Sequence, residues 1–122
     1  MADHPECPVA LFAYGTLQLP GVQRATFGRL LEGRPDAIAG HTLAPLRISD
    51  PHVVEVSGLP VHQMAMRSGD PADRVSGAVF AITLEELAAA DAYEVSEMRR
   101  IEVELASGMT AFGYVGAASG AR

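Results

Sequence analysis

Apolar positions near the N-terminus fall in one unbroken run, Val9-Ala10-Leu11-Phe12-Ala13, with Pro8 before it and Gly15 after it. A short run of this kind, bounded by turn residues, predicts a strand buried on both faces. Pro20 then suits a first helical turn. Phe27, Leu30 and Leu31 share a helical face, and Gly33 with Pro35 supplies a stop, so a helix is expected before Gly33. Residues 36–66 read as extended segments interrupted by Gly40, by Asp50-Pro51 and by Gly58-Leu59-Pro60, with Val53, Val54 and Val56 favouring strand. Val75–Ile82 predicts a second buried strand, in which Gly77 suggests a bulge or a close backbone approach.

The next helix has the clearest signature. Thr83-Leu84-Glu85-Glu86 fits a capping box, and Leu84, Leu87 and Ala88 supply an apolar face. Its end is expected near Asp91-Ala92-Tyr93-Glu94. Ile101, Val103 and Leu105 then alternate with Glu102 and Glu104, and Ser107-Gly108 turns the chain into a last strand over 110–115. Many short strands with two helices, in irregular alternation, argue against a doubly wound parallel sheet. The expected class is α+β, a small mixed sheet that curls toward a β-barrel, and such a sheet can hold one ligand at its mouth.

Composition narrows the functional classes. The 122 residues suit a single domain spanning 1–122, with a core over about 8–116 and a flexible tail at 117–122. A net charge of −6 disfavours a nucleic-acid partner, whose phosphates call for a basic face. No apolar run nears the roughly 20 residues of a membrane span, and no leader pattern precedes the first strand. With one cysteine, Cys7, no internal disulfide can form, and a cytoplasmic location is expected. His4, His41, His52 and His62 lack metal-ligand spacing, so no metal and no cofactor is expected.

Two segments carry chemistry. Tyr14-Gly15-Thr16-Leu17 ends the first strand with a turn, and a turn there can aim successive amide N–H groups at an anion. Asp91-Ala92-Tyr93-Glu94 places carboxylates at the end of the capped helix. With Gly77-Ala78-Val79 between them and Arg99-Arg100 after them, the order resembles the γ-glutamyl cyclotransferase-like family, including its γ-glutamylamine cyclotransferases. The resemblance covers roughly residues 9–115.

That resemblance implies a small mixed barrel and an intramolecular reaction. The α-amine of a γ-glutamyl group attacks its own γ-carbonyl, releasing 5-oxoproline and a free amine or amino acid. Carried onto this chain, Tyr14, Gly15, Thr16 and Leu17 would bind the glutamyl group and Glu94 would be the acid/base. Arg100 would be a further substrate contact, and the partner would be a small γ-glutamyl compound with neither nucleic acid nor membrane; apart from the resemblance, Tyr114 reads as a core or pocket-wall residue or as a substrate contact through its hydroxyl. Residue chemistry fits: the attacking amine must lose a proton and the leaving amine must gain one, which one carboxylate can do in turn. The helix C-terminus, Asp91 and burial would each raise the pKa of Glu94.

The chain departs from the family pattern at Ala90, where a Leu is usual, at Val95 in place of a Gly, and at Met98, where many relatives have a Tyr. These departures motivate an alternative, a non-catalytic module that binds a small acyl-amino acid or anion on the same fold. Arg99 and Arg100 fall on opposite faces of a strand. Arg100 then either pairs with Glu102 and Glu104 or lies at the pocket.

Overall fold

β1 (Val9–Ala13) lies at the middle of a five-stranded sheet in a computed structural model that describes residues 7–116. It pairs antiparallel with β5 (Arg74–Ile82) and parallel with β7 (Thr110–Gly116), through Leu11 and Phe112. The sheet order places β2 (Gly33–Ala39) outside β5 and β6 (Met98–Glu104) outside β7. Central placement explains the unbroken apolar run. Val9, Leu11 and Ala13 pack into one core cluster while Ala10 and Phe12 pack into another, so both faces of the strand leave water. The expected tail at 117–122 lies outside the described residues.

The same alternation runs through the neighbours. Ala78, Phe80 and Ile82 of β5 and Tyr114 of β7 join the cluster that the helices cover; Val75, Val79, Ala111 and Val115 join the other. The sheet curls until its edges touch at one bridge, Ile38 with Leu105, backed by the Ala106 N–H to the Ala37 carbonyl at 2.7 Å. Closure goes no further: the fold is α+β with a curled sheet, and the barrel is not closed. β3 (His41–Arg47) and β4 (Val61–Arg67) form a separate two-stranded sheet.

Among the described residues there are three α-helices where two helices were expected. α1 (Pro20–Phe27) stops at Gly28, whose φ of 75° ends the helix before Leu30 and Leu31. Gly33 and Pro35 therefore belong to β2, an edge strand, where a missing N–H is tolerated. α2 (Pro51–Ser57) occupies the valine-rich stretch read as strand. Asp50 accepts the His52 N–H, Pro51 opens the first turn, and Gly58 at φ 73° closes it. These brackets and the burial of Val53 outweigh the small helix penalty of valine.

α3 (Leu84–Tyr93) carries the capping box in full: Thr83 accepts the Glu86 N–H, and Glu86 accepts the Thr83 N–H. Its buried stripe is Leu87, Ala90 and Tyr93; Leu84 and Ala88 face solvent, against expectation. Gly77 marks a close approach rather than a bulge, because a Cβ there would strike the Ala13 carbonyl and the Phe12 ring while the strand register runs on unbroken. Among the described residues no helix is long and apolar enough to cross a membrane.

Candidate active site

β1 delivers its turn to the end of the sheet that α3 also reaches. After Tyr14 the chain makes a short 3-10 turn, Thr16–Gln18, held by the Gln18 N–H to the Gly15 carbonyl at 3.1 Å. Gly15 has φ −117° and ψ −140°, so the turn does not use the left-handed backbone. A 3-10 turn leaves its first amides without internal partners. Here the N–H groups of Gly15, Thr16 and Leu17 carry no hydrogen bond among the described residues.

The turn is pinned from beneath. Leu17 is buried, and its carbonyl accepts from Gln23 Nε2 at 2.9 Å; Gln23 Oε1 in turn accepts the Leu31 N–H at 2.9 Å. Thr16 Oγ1 lies 2.6 Å from the Tyr93 hydroxyl, linking the turn to the last residue of α3.

Tyr14 ties three strands. Its hydroxyl donates to the Tyr114 carbonyl at 2.6 Å and accepts the Ala65 N–H at 2.8 Å. Both capacities are used, so Tyr14 offers a substrate a ring wall rather than a hydroxyl. Tyr14→Phe would strand the N–H of fully buried Ala65, and an expected stability loss of about 1–3 kcal/mol follows. Chemical denaturation of the two proteins checks this, and equal midpoints would count against the tie.

Glu94 caps the C-terminal end of α3. Its carboxylate makes no hydrogen bond or ion pair among the described residues, and burial raises its pKa to about 7. Its charge pushes the hydroxyls of Tyr14, Tyr93 and Tyr114 toward their neutral forms, which places it among those three rings. Asp91, expected to help raise Glu94, is engaged elsewhere. It accepts from the Tyr114 hydroxyl at 2.5 Å and from Arg100 at 2.5 Å.

One cavity collects these groups. Its lining includes Tyr14, Gly15, Thr16, Leu17, Glu94 and Tyr114. Arg100 is not brought in: its guanidinium sits 5.0 Å above the Phe112 ring and pairs with Asp91, on neither of the two sides considered from sequence. The Tyr114 hydroxyl is likewise committed to Asp91, so Tyr114 is a wall of the cavity. The space open to a water's centre is about 20 Å³, room for roughly one water. Entry of anything larger than a water therefore requires side chains to move, and exposed Gln63 and partly buried Met98 are among those lining the cavity.

Sequence reasoning missed His62 and Gln63, which β4 adds to the wall. The β3–β4 ladder explains how. The Ile48 N–H meets the Pro60 carbonyl and the Ser68 N–H meets the Gly40 carbonyl, whereas the Ala65 N–H goes to Tyr14. Even-numbered β4 residues thus pair with β3, and odd-numbered ones turn their backbone groups outward. Gln63 stands opposite Pro45, which has no N–H to give, and its carbonyl oxygen lies 3.9 Å from where a Cβ on Gly15 would be. No local signal marks either residue, because the placement comes from a strand forty-odd positions away.

A larger cavity, about 490 Å³, opens between Val9, Gly33, Arg34 and Phe80 at the other end of β1. It lacks both the free turn amides and Glu94, so the chemistry points to the smaller one. Among the described residues no cluster of His, Cys, Asp and Glu could hold a metal ion.

Comparison with known proteins identifies the family and the fold. The family model described as gamma-glutamyl cyclotransferase, AIG2-like, matches residues 11–120. The chain belongs to that gamma-glutamyl cyclotransferase, AIG2-like family. Solved structures share its fold at low identity. An Arabidopsis thaliana protein solved in solution is 20% identical with a TM-score of 0.69, covering 97% of this chain and 68% of its own. A gamma-glutamyl cyclotransferase is 15% identical with a TM-score of 0.66, covering 89% and 66%. An uncharacterized protein from Pyrococcus horikoshii is 18% identical with a TM-score of 0.59, covering 88% and 77%. No curated protein sequence matches the chain. The family's fold is thus present here.

Proposed function

We propose that this protein is a γ-glutamyl cyclotransferase that converts a small γ-glutamyl amide into 5-oxoproline and a free amine. One observation carries the reading: an unpaired, desolvated carboxylate, Glu94, opens on the same cavity as the partnerless amides of Gly15, Thr16 and Leu17. In this reading the amides receive the glutamyl carboxylate or the oxygen that gains charge during attack. The Gln63 carbonyl, turned toward Gly15, supplies an acceptor for the α-ammonium.

The steps balance within the substrate. Glu94 takes a proton from the α-ammonium, and the freed amine forms a bond to the γ-carbonyl carbon. Glu94 returns that proton to the leaving nitrogen, the tetrahedral adduct collapses as the bond to that nitrogen breaks, and the ring nitrogen gives up its remaining extra proton, which the released amine carries away as an ammonium. No water is consumed. A carboxylate of ordinary pKa is a weak base for this task; raised to about 7, Glu94 comes closer to the amine it must deprotonate.

Two expectations test the reading. Turnover, measured as 5-oxoproline release from a panel of γ-glutamyl compounds, should fall as pH drops below about 7, because protonated Glu94 cannot accept a proton. A kcat/KM profile flat between about pH 5 and about pH 9 would remove Glu94 from the role. Glu94 is also the one charged residue among those lining the cavity. A leaving half with its own carboxylate would find no cation there, so γ-glutamyl amines should exceed γ-glutamyl amino acids by about tenfold or more in kcat/KM, some 1.4 kcal/mol.

The narrowness of the cavity favours one other reading, a binding module for a small anion. Stabilisation by 5-oxoproline or glutamate in thermal melts, with no turnover across the panel, would select it.

A further inference from the structure

We propose that His62 accepts a hydrogen bond through Nδ1 from the N–H of the scissile amide, and so selects amides over esters. The inference rests on the γ-glutamyl reading above. It starts from the one histidine among the described residues that is buried, and that also lines the Glu94 cavity.

One side of the ring is accounted for. Nε2 lies 3.0 Å from Ser57 Oγ, at the end of α2. Ser57 Oγ receives the Leu59 N–H at 3.1 Å and lies 3.2 Å from the Leu59 carbonyl oxygen. The serine has one proton to give, and the carbonyl can only accept. The proposal takes the assignment that sends the serine proton to Leu59 and the Nε2 proton to Ser57, which leaves Nδ1 bare.

In the proposal Nδ1 is the ring nitrogen turned to the cavity. It has no hydrogen bond among the described residues, and no buried side-chain nitrogen or oxygen among them lacks a partner. Nδ1 therefore keeps some exposed surface, and His62 is among the residues that line the cavity with Glu94. Burial lowers the pKa of the ring, so it stays neutral at neutral pH and Nδ1 remains an acceptor.

The substrate then assigns the partner. A γ-glutamyl amide brings a carboxylate and a carbonyl oxygen, which need donors, and an ammonium and an amide N–H, which need acceptors. The turn amides are donors; Glu94 and the Gln63 carbonyl, beside the turn, suit the ammonium. The amide N–H is the donor left for His62. As Glu94 protonates the departing nitrogen, its N–H becomes a stronger donor, so the bond to Nδ1 strengthens toward the transition state.

Non-cyclising analogues separate this role from the reaction. N-methyl glutaric monoamide and methyl glutarate lack the α-amine and differ only in N–H against O. Calorimetric titration of the full chain should show the amide binding about five- to tenfold tighter than the ester. His62→Leu should bind both alike, and His62→Asn, which can place an oxygen near the Nδ1 position, should recover part of the preference. If His62→Leu binds both and keeps the parental preference, His62 does not read the amide, while the cyclotransferase reading stands. If the parent protein binds neither analogue and releases no 5-oxoproline, both fall together. Should His62→Leu not fold, Ser57→Ala serves: release of Nε2 lets the proton move to Nδ1, and the amide preference should shrink.

Discussion

Glu94→Gln is expected to lower kcat by about 10²–10⁴ while making the folded protein more stable above pH 7. The two halves have one cause. Burial holds the carboxyl at about 7, well above its ordinary value of 4.5, with no hydrogen bond among the described residues to offset it. Between these two values the unfolded chain has already released the proton that the folded chain retains. Stability therefore falls as pH rises through that window and stays reduced above it. Glutamine keeps the shape and carries no charge, so it should gain of order 1–3 kcal/mol at alkaline pH and little at pH 4, the upper figure being the full shift before solvent screening. A merely solvated Glu94 would show neither effect. Assay of 5-oxoproline beside urea melts at the two pH values decides it; a variant that retains parental turnover sinks the catalytic assignment.

The surroundings of Glu94 make that coupling sharper than the sequence implied. A neighbouring charge on Asp91 would have been screened by salt and reversible by mutation. Instead Asp91 is paired with Arg100 and hydrogen-bonded to Tyr114, so its work is to hold one wall of the cavity. Removing Asp91 should disturb the wall through Tyr114 rather than the proton affinity of Glu94. The pair with Arg100 is half-exposed, so its own contribution to stability is small.

How much was legible follows from whether each signal was local. β1 and β5 announced themselves because both faces of each are buried, and that leaves an apolar run no surface element would carry. α3 was readable from Thr83 to Glu94 because a capping box is a four-residue motif with its partners inside it. α2 was not, because Val53, Val54 and Val56 carry strand preference while the deciding terms are the Asp50 cap and the Gly58 stop. The turn and Glu94 were paired through the family resemblance, and the cavity they share depends on sheet order. His62 and Gln63 had no signal at all, since β4 reaches the site through a separate sheet that meets Tyr14 at Ala65. Arg100 was ambiguous for the opposite reason: strand alternation gives its face, but its partner sits on α3.

Gly77→Ala tests whether the turn is held in place by the sheet behind it. A Cβ at 77 would meet the Ala13 carbonyl carbon at 3.0 Å and Phe12 Cζ at 2.9 Å, with the Ala13 oxygen nearer still. A flexible side-chain tip could swing aside, but a central strand's backbone cannot move without breaking its ladder to β5. Overpacking of this kind costs about 1–3 kcal/mol, and the shift falls on the residue just before Tyr14, so turnover should fall with stability. Gly21→Ala is the matched control. It lies within α1 with nothing within 4 Å of its Cβ, so the same added methyl should stabilise by up to about 1 kcal/mol and leave turnover unchanged. Opposite signs from one chemical change would locate the strain at the β1–β5 contact. Equal and harmless outcomes would mean that β1 yields easily, and a turn mounted on a yielding strand could not hold three amides against a carboxylate.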